Sequence, residues 1–368
     1  MSIIAAVRGV VPEYRYAQAD LTASLAELAG LPASHVATLA RIHGNAGVEH
    51  RHLALPIEDY ARVTSSFDSA NDAFIEVGTD LAERVVLQAL AAAEVTPDEV
   101  DAIISTTVTG LAVPSLEARL MARLPMRTDL KRMPLVGLGC VGGAAGVARA
   151  HDYLVGHPDD IVVLLSVELC SLTVQRDDAS MANLVASGLF GDGAAAVVLM
   201  GEYAAQRHHT STLGAPSVVS SRSRMYADTE RAMGWDVGAS GLRIVLGAEV
   251  PDLVRGHVRG DVDTFLRMAE LSRQDIGWWV AHPGGPKVLD ALADALEVTP
   301  DELGVTWRSL ARIGNLSSSS VLHVLADTLS TTPPAPGSWG MLMAMGPGFC
   351  LETVLLRAAG ASGVEHDG

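Results

Sequence analysis

Two hydrophobic patterns alternate along the chain. Short apolar runs rich in β-branched residues are followed by longer, alanine-rich stretches in which apolar residues recur with the period of a helix. This alternation is typical of a parallel or mixed sheet with helices on both faces, so we predict the α/β class. The predicted buried strands are residues 100–107, 133–137, 161–167, 194–200, 278–281, 340–345 and 352–356. The predicted helices include residues 81–93, 142–155, 287–296 and 319–329.

The least regular segment, residues 202–240, is rich in His, Ser, Arg and Thr and divides the chain. We place residues 1–205 in an N-terminal half and residues 206–368 in a C-terminal half. Each half has a small-residue or serine-rich helix start after a glycine, at residues 139–140 in the first and at residues 314–315 in the second. The repetition favours an internal duplication, although two short matches also arise by chance.

The composition excludes several classes of protein. The 368 residues include 26 basic and 43 acidic side chains, which give a formal charge of −17. This excess of negative charge repels nucleic-acid phosphates and anionic lipid headgroups, so we expect neither nucleic-acid binding nor stable membrane association. The chain has no apolar run long enough to span a membrane, and its amino terminus lacks the features of a signal peptide. We therefore expect a cytoplasmic protein.

Cysteine and histidine spacing indicates no metal site. Three cysteines, Cys140, Cys170 and Cys350, are too few and too scattered for a disulfide framework or a zinc site. Histidines such as His43 and His50 have no metal-ligand spacing, and we assign them to the surface. We expect a reducing compartment and no bound metal.

The first candidate site is the turn at residues 137–142, with the sequence GLGCVG, between a predicted strand and a predicted helix. It fits the GxGxxG pattern of an NAD-dependent oxidoreductase, and Glu168 ends the next strand, where such an enzyme binds ribose. However, Glu168 lies 26 residues beyond Gly142 rather than about 20. The pattern also leaves a cysteine in the turn unexplained.

The second interpretation of this turn makes Cys140 a nucleophile. At the first turn of a helix, free backbone N–H groups and the helix dipole favour thiolate over thiol. The surrounding glycines and alanines leave space for an acyl group and for close helix packing. The alternative is a buried cysteine that acts as a small hydrophobe. Cys140 alone does not decide between the two.

Two polar residues extend the nucleophile interpretation. His282 ends a predicted strand, where a neutral imidazole can take the thiol proton and then stabilise the thiolate. Asn315 lies just before a run of serines at a helix start. The alternatives are a structural histidine and an ordinary N-cap asparagine. If all three side chains meet, they supply a nucleophile, a base and two donors for a thioester oxygen, which predicts acyl transfer and decarboxylation.

These residues lie in stretches that resemble type III polyketide synthases of the chalcone synthase superfamily, which have a thiolase-like fold. The matching stretches are residues 137–140 (GLGC), 166–168 (SVE), 189–194 (LFGDGA), 281–286 (AHPGGP), 314–318 (GNLSS) and 346–349 (GPGF). The sequence and spacing of these stretches are most similar to those of bacterial members that make alkylpyrones or alkylresorcinols. The resemblance implies a homodimer with a duplicated αβαβα layered architecture.

The resemblance also implies roles for individual residues. Cys140 would carry the acyl group, while His282 and Asn315 would promote decarboxylation of malonyl-CoA and stabilise its enolate. Phe190 would be the gatekeeper between the CoA tunnel and the cavity, and Glu168 would join a water network. The other implied residues shape the cavity or reach it across the dimer interface, and these are Cys170, Thr173, Ser317, Gly346, Pro347, Gly348, Phe349 and Val113.

Two departures from the family pattern concern substrate binding. Of the basic residues that hold CoA phosphates in plant members, Arg41 remains, whereas Thr38 and Asn45 stand where lysines would be. Lys287 and Arg51 are candidate replacements, or else solvated surface charges. The second aromatic gatekeeper of plant members has no clear counterpart in the segment GLRIVL that follows Ser240.

We therefore expect an acyltransferase that loads an acyl-CoA on Cys140 and extends it with malonyl-CoA or methylmalonyl-CoA by decarboxylative condensation. It would cyclise the product to an alkylpyrone or alkylresorcinol. CoA thioesters are the expected substrates, and no redox cofactor or metal is implied. Three alternatives stay open: a condensing enzyme like ketoacyl-ACP synthase III, an NAD-dependent oxidoreductase, and a non-catalytic acyl-binding protein.

Overall fold

The computed structural model describes residues 1–29, 32–208 and 215–360. The strands in this part of the chain are β1 (Ser2–Val10), β2 (Tyr14–Ala17), β3 (His50–Leu53), β4 (Ala102–Thr107), β5 (Lys131–Val136), β6 (Ile161–Leu169), β7 (Asp192–Gly201), β8 (Ser217–Met225), β9 (Met233–Gly238), β10 (Gly241–Leu246), β11 (Ile276–Ala281), β12 (Trp339–Gly346) and β13 (Cys350–Arg357). The helices are α1 (Gln18–Leu28), α2 (Ala33–Gly44), α3 (Tyr60–Val63), α4 (Phe67–Ala92), α5 (Leu116–Leu120), α6 (Gly142–Gly156), α7 (Met181–Leu189), α8 (Glu202–Arg207), α9 (Val250–Met268), α10 (Pro286–Leu296), α11 (Gly304–Ile313) and α12 (Ser320–Thr331).

Nine strands form one mixed sheet in the order β11-β12-β13-β8-β1-β7-β6-β4-β5. The pairs β2–β3 and β9–β10 form two separate small sheets. Within the main sheet, β6 and β7 are buried along their whole length. Their sequences are nearly continuous apolar runs, as expected for strands that helices cover on both faces.

The strand pairing repeats within the sheet. In the first half, β4 is parallel to β6, β6 is antiparallel to β7, and β7 is antiparallel to β1. In the second half, β11, β12, β13 and β8 pair in the same succession of directions. A helix precedes the corresponding strand in each case, with α6 before β6 and α12 before β12. The topology is therefore that of a duplicated unit.

The two halves of the main sheet form two layers, and helices form three more, one outside each half and one between the halves. α4 packs on the outer face of the first half of the sheet, and α9 and α10 pack on the outer face of the second. Between the two halves, α6 and α12 contribute to one apolar cluster with strands from both. The predicted α/β class and the αβαβα layered architecture are confirmed.

The close approach of α6 and α12 depends on a glycine. A Cβ atom at Gly143 would lie 2.3 Å from the backbone oxygen of Ser318. Ser318 belongs to the 3-10 turn Ser317–Ser319, which leads directly into α12. Because a larger residue would push the two helix starts apart, Gly143 allows Cys140 and Asn315 to lie near one another.

Most predicted elements are present with shifted ends. The predicted helix 81–93 is the second half of the longer α4, and the predicted strand 278–281 is the end of β11. The description of residues 202–240 as irregular is wrong in part, because this segment contains the nine-residue strand β8 of the main sheet. β8 is buried only at Ser217 and Val218, so its serine- and arginine-rich sequence lacks the apolar run of a fully buried strand. Residues 209–214 lie outside the described residues, and the division at 205–206, which falls inside α8, stays a prediction.

Candidate active site

The three predicted catalytic side chains line one cavity of about 500 Å³. Its walls come from the end of α2, from α7, from the hairpin β9–β10 and from the first turns of α9 and α10. Cys140, His282 and Asn315, far apart in the sequence, meet at this cavity as predicted. Four other predicted site residues also line it, namely Phe190, Lys287, Ser317 and Pro347.

Cys140 lies in a strand–turn–helix unit. β5 leads into the 3-10 turn Gly139–Val141, and α6 follows at once. Gly139 has a φ of +54°, and a Cβ atom there would lie 2.6 Å from Pro347 Cγ, so this position favours glycine. The Cys140 thiol donates a hydrogen bond of 3.7 Å to Ser317 Oγ, which connects the two halves of the chain at the site.

Burial favours the neutral form of both ionisable groups. It raises the pKa of the Cys140 thiol to about 12, a shift that the hydrogen bond to Ser317 opposes and the charge of Glu168 increases. Burial lowers the pKa of His282 to about 3. The imidazole Nδ1 is buried and has no hydrogen-bond partner among the described residues. In the absence of substrate, burial therefore favours the neutral thiol and the neutral imidazole over the expected resting thiolate.

Asn315 is held by both its backbone and its side chain. Its N–H donates to Leu189 O at 2.8 Å, and its own carbonyl accepts from Gly191 N at 2.9 Å, so it lies beside the end of α7. The side-chain Oδ1 accepts a hydrogen bond of 2.8 Å from Ser317 N, as a helix-capping asparagine does. With the oxygen engaged in this way, the Nδ2 amino group is the part of the amide that can donate to a substrate oxygen.

A second cavity of about 40 Å³ lies beside the first. Cys170 and Thr173 line this side chamber, so the structure places these two predicted cavity residues away from the main wall. Phe190, Trp235 and Ile244 line both cavities. We call these three side chains the partition, because they separate the main cavity from the side chamber.

Sequence reasoning missed Trp235. It lies in β9 directly opposite Ile244 in β10. The second gatekeeper of plant members has no aromatic counterpart in β10. In this protein the neighbouring strand β9 supplies an aromatic ring there, that of Trp235. A single tryptophan in an irregular segment was the available signal. The pairing of Trp235 with Ile244 depends on the register of the two strands, which the surrounding sequence does not reveal.

Glu168 does not line either cavity. It is fully buried, and one carboxylate oxygen accepts hydrogen bonds from Ser318 N and Ser318 Oγ. The other oxygen accepts from Thr107 Oγ1, Val108 N and Thr109 Oγ1. Because protein donors surround the carboxylate, it cannot bind the ribose of a dinucleotide. The structure therefore contradicts the NAD-dependent oxidoreductase interpretation of residues 137–142.

The turn at residues 346–349 contributes to the cavity through Pro347. Gly346 packs against Val141, and Phe349 is fully buried beside the ring of Tyr226. Gly348 has a φ of +85°, which suits a glycine in a turn. These three residues support the wall rather than face the substrate. Val113 is 96% exposed in the loop before α5, away from the cavity of its own chain.

One of the three predicted CoA-binding cations is misassigned. Arg51 is only 3% exposed, and its guanidinium donates to the backbone oxygens of Ser187 and Phe190. Burial lowers the pKa of Arg51 to about 10. Arg51 therefore holds the end of α7 in place and cannot reach a phosphate in solvent. Arg41 is exposed on α2 but does not line the cavity, whereas Lys287 is exposed and does.

The assignment of His43 to the surface is also wrong. His43 is 1% exposed, and its ring nitrogens lie 2.8 Å from Thr22 Oγ1 and 3.1 Å from Ser187 Oγ. Burial lowers its pKa to about 4. The residue lies on the face of α2 that packs against α7, and single-sequence spacing did not reveal that contact.

Membrane-spanning helices and clusters of metal-binding side chains are both absent from residues 1–29, 32–208 and 215–360. No helix in these ranges has the length and apolar character needed to cross a membrane. No group of three or more His, Cys, Asp or Glu side chains there could hold a metal ion.

Two family models together match almost the whole chain. The model of chalcone and stilbene synthases, C-terminal domain, matches residues 217–360. The model of FAE1/type III polyketide synthase-like proteins matches residues 13–223. The first covers His282 and Asn315, and the second covers Cys140, so the matches include all three residues that meet at the cavity.

Known relatives agree with these matches. The chain is 55% identical to 1,3,6,8-tetrahydroxynaphthalene synthase of Streptomyces peucetius subsp. caesius over 354 residues. This alignment covers 96% of this chain and 92% of that protein. The chain is 31% identical to 3,5-dihydroxyphenylacetyl-CoA synthase of Streptomyces toyocaensis, over 85% of this chain and 80% of that protein. The crystal structure of 1,3,6,8-tetrahydroxynaphthalene synthase from Streptomyces coelicolor A3(2) has a TM-score of 0.89 at 26% identity, covering 97% of this chain and 99% of that one.

The names of these relatives refer to tetrahydroxynaphthalene and to dihydroxyphenylacetyl-CoA. The expected alkylpyrone or alkylresorcinol product is therefore not confirmed. The family itself follows from the extent of the matches and the level of identity. The chain belongs to the type III polyketide synthases, a family of condensing acyltransferases with a thiolase-like fold.

Proposed function

We propose that this protein condenses malonyl-CoA repeatedly and cyclises the product to a polyhydroxylated naphthalene, without a metal or redox cofactor. The observation that carries the proposal is the meeting of Cys140, His282 and Asn315 at one cavity. A thiol, an imidazole and a carboxamide are the groups that acyl loading and enolate stabilisation require. The 55% identity to a tetrahydroxynaphthalene synthase supports the naphthalene product.

Acyl loading begins at the neutral thiol–imidazole pair. Because burial keeps His282 unprotonated, its lone pair can accept the Cys140 proton as the sulfur attacks the thioester carbonyl. The hydrogen bond to Ser317 and the amino end of α6 stabilise the thiolate as it forms. When the carbonyl re-forms, the CoA sulfur leaves and takes the proton from His282. The products are an acyl group on Cys140 and free CoA.

Decarboxylation uses the other two residues. In malonyl-CoA the bond between the carboxylate and the central carbon breaks, CO₂ leaves, and the electron pair forms a thioester enolate. The Asn315 amino group donates a hydrogen bond to the enolate oxygen, and His282 donates a second one in the tautomer that carries its hydrogen on the nitrogen facing the cavity. The enolate carbon then attacks the acyl carbonyl, and the Cys140 thiolate leaves. The largely apolar wall favours this step because it strips water from the malonyl carboxylate.

The product follows from carbon counting. The ring system of tetrahydroxynaphthalene has ten carbons, which correspond to five two-carbon units from five malonyl-CoA molecules. Joining these units releases five CO₂ and five CoA, and closure of the aromatic rings releases one water. The balance contains no oxidation step, in agreement with a reaction that uses CoA thioesters alone.

We also propose a division of labour between the halves. Residues 1–205 supply the acyl carrier Cys140, while residues 206–368 supply His282 and Asn315. The repeated strand pairing supports this division, because the helices that follow Cys140 and Asn315 occupy corresponding places.

A homodimer is a further part of the proposal. β5 is an edge strand of the main sheet, and Val136 at its end is 69% exposed. Val113, in a neighbouring loop of the first half, is 96% exposed. Apolar side chains at an unpaired strand edge are typical of a surface that pairs with another chain. Light scattering during gel filtration measures the mass, and a monomer at micromolar concentration contradicts the dimer.

The experiment that tests the reaction uses malonyl-CoA as the sole substrate. We expect the purified protein to release CO₂ and to form a ten-carbon product in which uniformly ¹³C-labelled malonyl-CoA supplies every carbon. Mass spectrometry of the intact protein shows the acyl group on Cys140, and the Cys140→Ala variant provides the blank. If the protein uses malonyl groups only when a carrier protein holds them, the result supports a condensing enzyme like ketoacyl-ACP synthase III. The same result refutes the proposed use of malonyl-CoA.

A second candidate product is an alkylpyrone or alkylresorcinol made from a fatty acyl starter. The observation that favours it is the aliphatic character of the main cavity, which includes Met181, Val185, Val245 and Val250. A panel of saturated acyl-CoA starters, each in competition with malonyl-CoA, decides between the two products. Incorporation of the alkyl chain into most of the product supports the second candidate. Replacing malonyl-CoA by methylmalonyl-CoA in the same assay tests the extender.

A further inference from the structure

A chain of hydrogen bonds leads from the side chamber into the core. Tyr60, the first residue of α3, and Ser171, in the turn Cys170–Thr173 after β6, both line this chamber. Their side-chain oxygens are 2.5 Å apart. Ser171 Oγ is also hydrogen-bonded to Oδ2 of Asp192, the first residue of β7. Asp192 is fully buried, whereas Tyr60 and Ser171 are exposed by 1% and 7% at the chamber wall.

The direction of these hydrogen bonds follows from the carboxylate at the end of the chain. An ionised carboxylate can only accept, so Ser171 Oγ donates to Asp192 and its oxygen accepts from the Tyr60 hydroxyl. The backbone N–H groups of Ser171 and Ala54 also donate to the carboxylate, at 2.8 and 2.6 Å. A hydroxyl oxygen has two lone pairs, so Tyr60 Oη can accept a proton from the chamber while it donates its own proton to Ser171.

Of the ionisable groups around this chain, the carboxyl is the one that titrates near neutral pH. Burial raises the pKa of Asp192 to about 6, although the hydrogen bonds from Ser171 and the charge of Arg51 in β3 oppose this shift. Burial also raises the pKa of the Tyr60 hydroxyl and that of the Cys170 thiol, which both face Asp192, so these two groups stay neutral. Asp192 can therefore serve as the acceptor of a proton that the two hydroxyl groups pass on.

The side chamber is large enough for the end of a substrate chain. Its volume of about 40 Å³ corresponds to about three water-sized groups, since one buried water needs roughly 10 to 15 Å³. The partition separates it from the main cavity, and the three side chains of the partition line both. A single keto or enol group of a chain held on Cys140 fits this space, whereas an aromatic ring does not.

We infer that Tyr60, Ser171 and Asp192 form a proton relay that promotes ring closure, with Tyr60 as the residue that touches the polyketide chain. The inference rests on the proposed function, because a chain with alternating keto groups has an acidic enol proton to exchange. In the first step an enol O–H bond of the chain breaks, and its proton goes to Tyr60 Oη. Tyr60 passes its own proton to Ser171 Oγ, and Ser171 passes its proton to Asp192. The electron pair of the broken bond stays on the chain as an enolate.

The second step forms the ring and returns the proton. The enolate carbon attacks a carbonyl carbon elsewhere in the same chain, which forms a C–C bond and leaves an alkoxide. The alkoxide and the re-formed ketone lie on carbons separated by one other carbon, so the Tyr60 hydroxyl can reach both oxygens. The relay then runs backwards from Asp192 and gives the alkoxide its proton, so no proton is gained or lost overall. Loss of water from the resulting alcohol makes the ring aromatic.

The test measures the ratio of two products that arise from the same chain. A lactone forms when an enol oxygen attacks the thioester, and this reaction competes with ring closure through carbon. In Tyr60→Phe we expect the ratio of naphthalene to lactone to fall by about 10-fold or more, because general acid–base catalysis contributes about 10²- to 10⁴-fold. Release of CO₂ from malonyl-CoA should stay within about two-fold of the wild type. Liquid chromatography with mass spectrometry measures both products.

Other variants separate proton transfer from the shape of the chamber. Ser171→Ala should lower the product ratio, and Ser171→Thr, which keeps the hydroxyl, should restore most of it. Tyr153→Phe is the matched control. The Tyr153 hydroxyl also donates to an aspartate, Asp160, at 2.5 Å, but Tyr153 lies on α6 and is not among the described residues that line either cavity. Its removal should leave the ratio unchanged.

The pH dependence of the ratio provides a second readout. Asp192 accepts a proton only when it is ionised, so the wild-type ratio of naphthalene to lactone should fall as the pH falls through about 6. In Tyr60→Phe the ratio should be low and independent of pH, because the relay is cut before the carboxylate. Both products come from the same folded protein, so a loss of stability in acid does not change their ratio.

Two results overturn the inference. One is an unchanged product ratio in Tyr60→Phe. The other is a ratio that falls as far in Ser171→Thr as in Ser171→Ala, which shows that these side chains shape the chamber and do not move protons. If Tyr60→Phe does not fold, the wild-type pH profile replaces it, and a ratio that does not change through pH 6 refutes the relay. A wild-type protein that releases no CO₂ from malonyl-CoA refutes the proposed function instead.

Discussion

At the scale of single residues, burial has opposite effects on the two ionisable groups of the site. It raises the pKa of the Cys140 thiol and lowers that of His282, so each shift favours a neutral group. A neutral thiol is a poor target for oxidants and alkylating agents, because the thiolate is the reactive form. The charge separation needed for acyl transfer therefore arises only when a thioester is present to receive the sulfur.

The first prediction separates the roles of the three residues. In Cys140→Ala we expect malonyl-CoA to lose CO₂ at a substantial rate, because His282 and Asn315 still bind the enolate, while condensation falls to background. In Asn315→Ala we expect decarboxylation to fall by about 10²- to 10³-fold, with acylation of Cys140 retained. Labelled CO₂ and product are measured in parallel. Equal loss of both activities in Cys140→Ala contradicts the division.

At the scale of secondary-structure elements, the site depends on how closely two helix starts approach. α6 begins beside Cys140, and the turn Ser317–Ser319 leads from Asn315 into α12. The sequence could indicate the importance of this region, because glycines and serines are concentrated there. It could not show that a Cβ atom at Gly143 meets a backbone oxygen of the other half, since that contact depends on packing between distant segments.

The second prediction concerns this contact. Gly143→Ala should lower the free energy of unfolding by about 1 to 3 kcal/mol, because the added methyl group overlaps Ser318 O. The same variant should lose activity through displacement of Asn315. Urea unfolding and CO₂ release measure the two effects. The matched control is Gly156→Ala at the other end of α6, where a Cβ atom has no neighbour within 4 Å and should be tolerated.

The hairpin β9–β10 and α7 form one side of the site. The third prediction is that Trp235→Ala opens the partition and joins the main cavity to the side chamber of about 40 Å³. We expect products with more condensations or longer starters, detected by liquid chromatography with mass spectrometry. Val237→Ala, two residues along β9 and 73% exposed, should leave the product pattern unchanged. An unchanged pattern in Trp235→Ala shows that the partition does not limit chain length.

At the scale of the whole molecule, buried histidines couple stability to pH. Burial lowers the pKa of His43 and of His323 to about 4, and that of His282 to about 3. In the unfolded chain a histidine binds its proton near pH 6.5. Between that pH and about 4 the unfolded state binds more protons, so stability falls as the pH falls. Asp192 has the opposite effect on stability. Burial raises its pKa to about 6, so as the pH falls the folded state binds this proton before the unfolded state does.

The fourth prediction isolates one of these groups. His323 is buried, and its Nε2 lies 3.1 Å from the backbone oxygen of Ala194. The wild-type protein should lose stability between pH 7 and pH 5, with His323 accounting for about 2 kcal/mol of the loss. His323→Gln should show a pH dependence smaller by that amount, whatever its stability at pH 7. Urea midpoints at the two pH values provide the measurement, and parallel curves for the two proteins would refute the assignment.

The whole chain also shows which features a sequence can reveal. The runs that form β6 and β7 are nearly continuous apolar sequences, so burial on both faces could be predicted from residues alone. β8 was missed because its serines and arginines give no such signal, although it lies in the main sheet. Arg51 was misassigned because a buried arginine and a solvated one look alike in sequence. Its partners, the backbone oxygens of Ser187 and Phe190, are set by the packing of α7.

The location of the partition has an evolutionary consequence. Two of its three side chains, Trp235 and Ile244, belong to a two-stranded hairpin that shares no strand with the nine-stranded sheet. Substitutions in this hairpin can reshape the chamber without disturbing the strands and helix starts that hold the thiol, the imidazole and the amide. A few amino-acid substitutions in the hairpin can therefore change the product that a descendant enzyme makes, while the reaction chemistry stays the same.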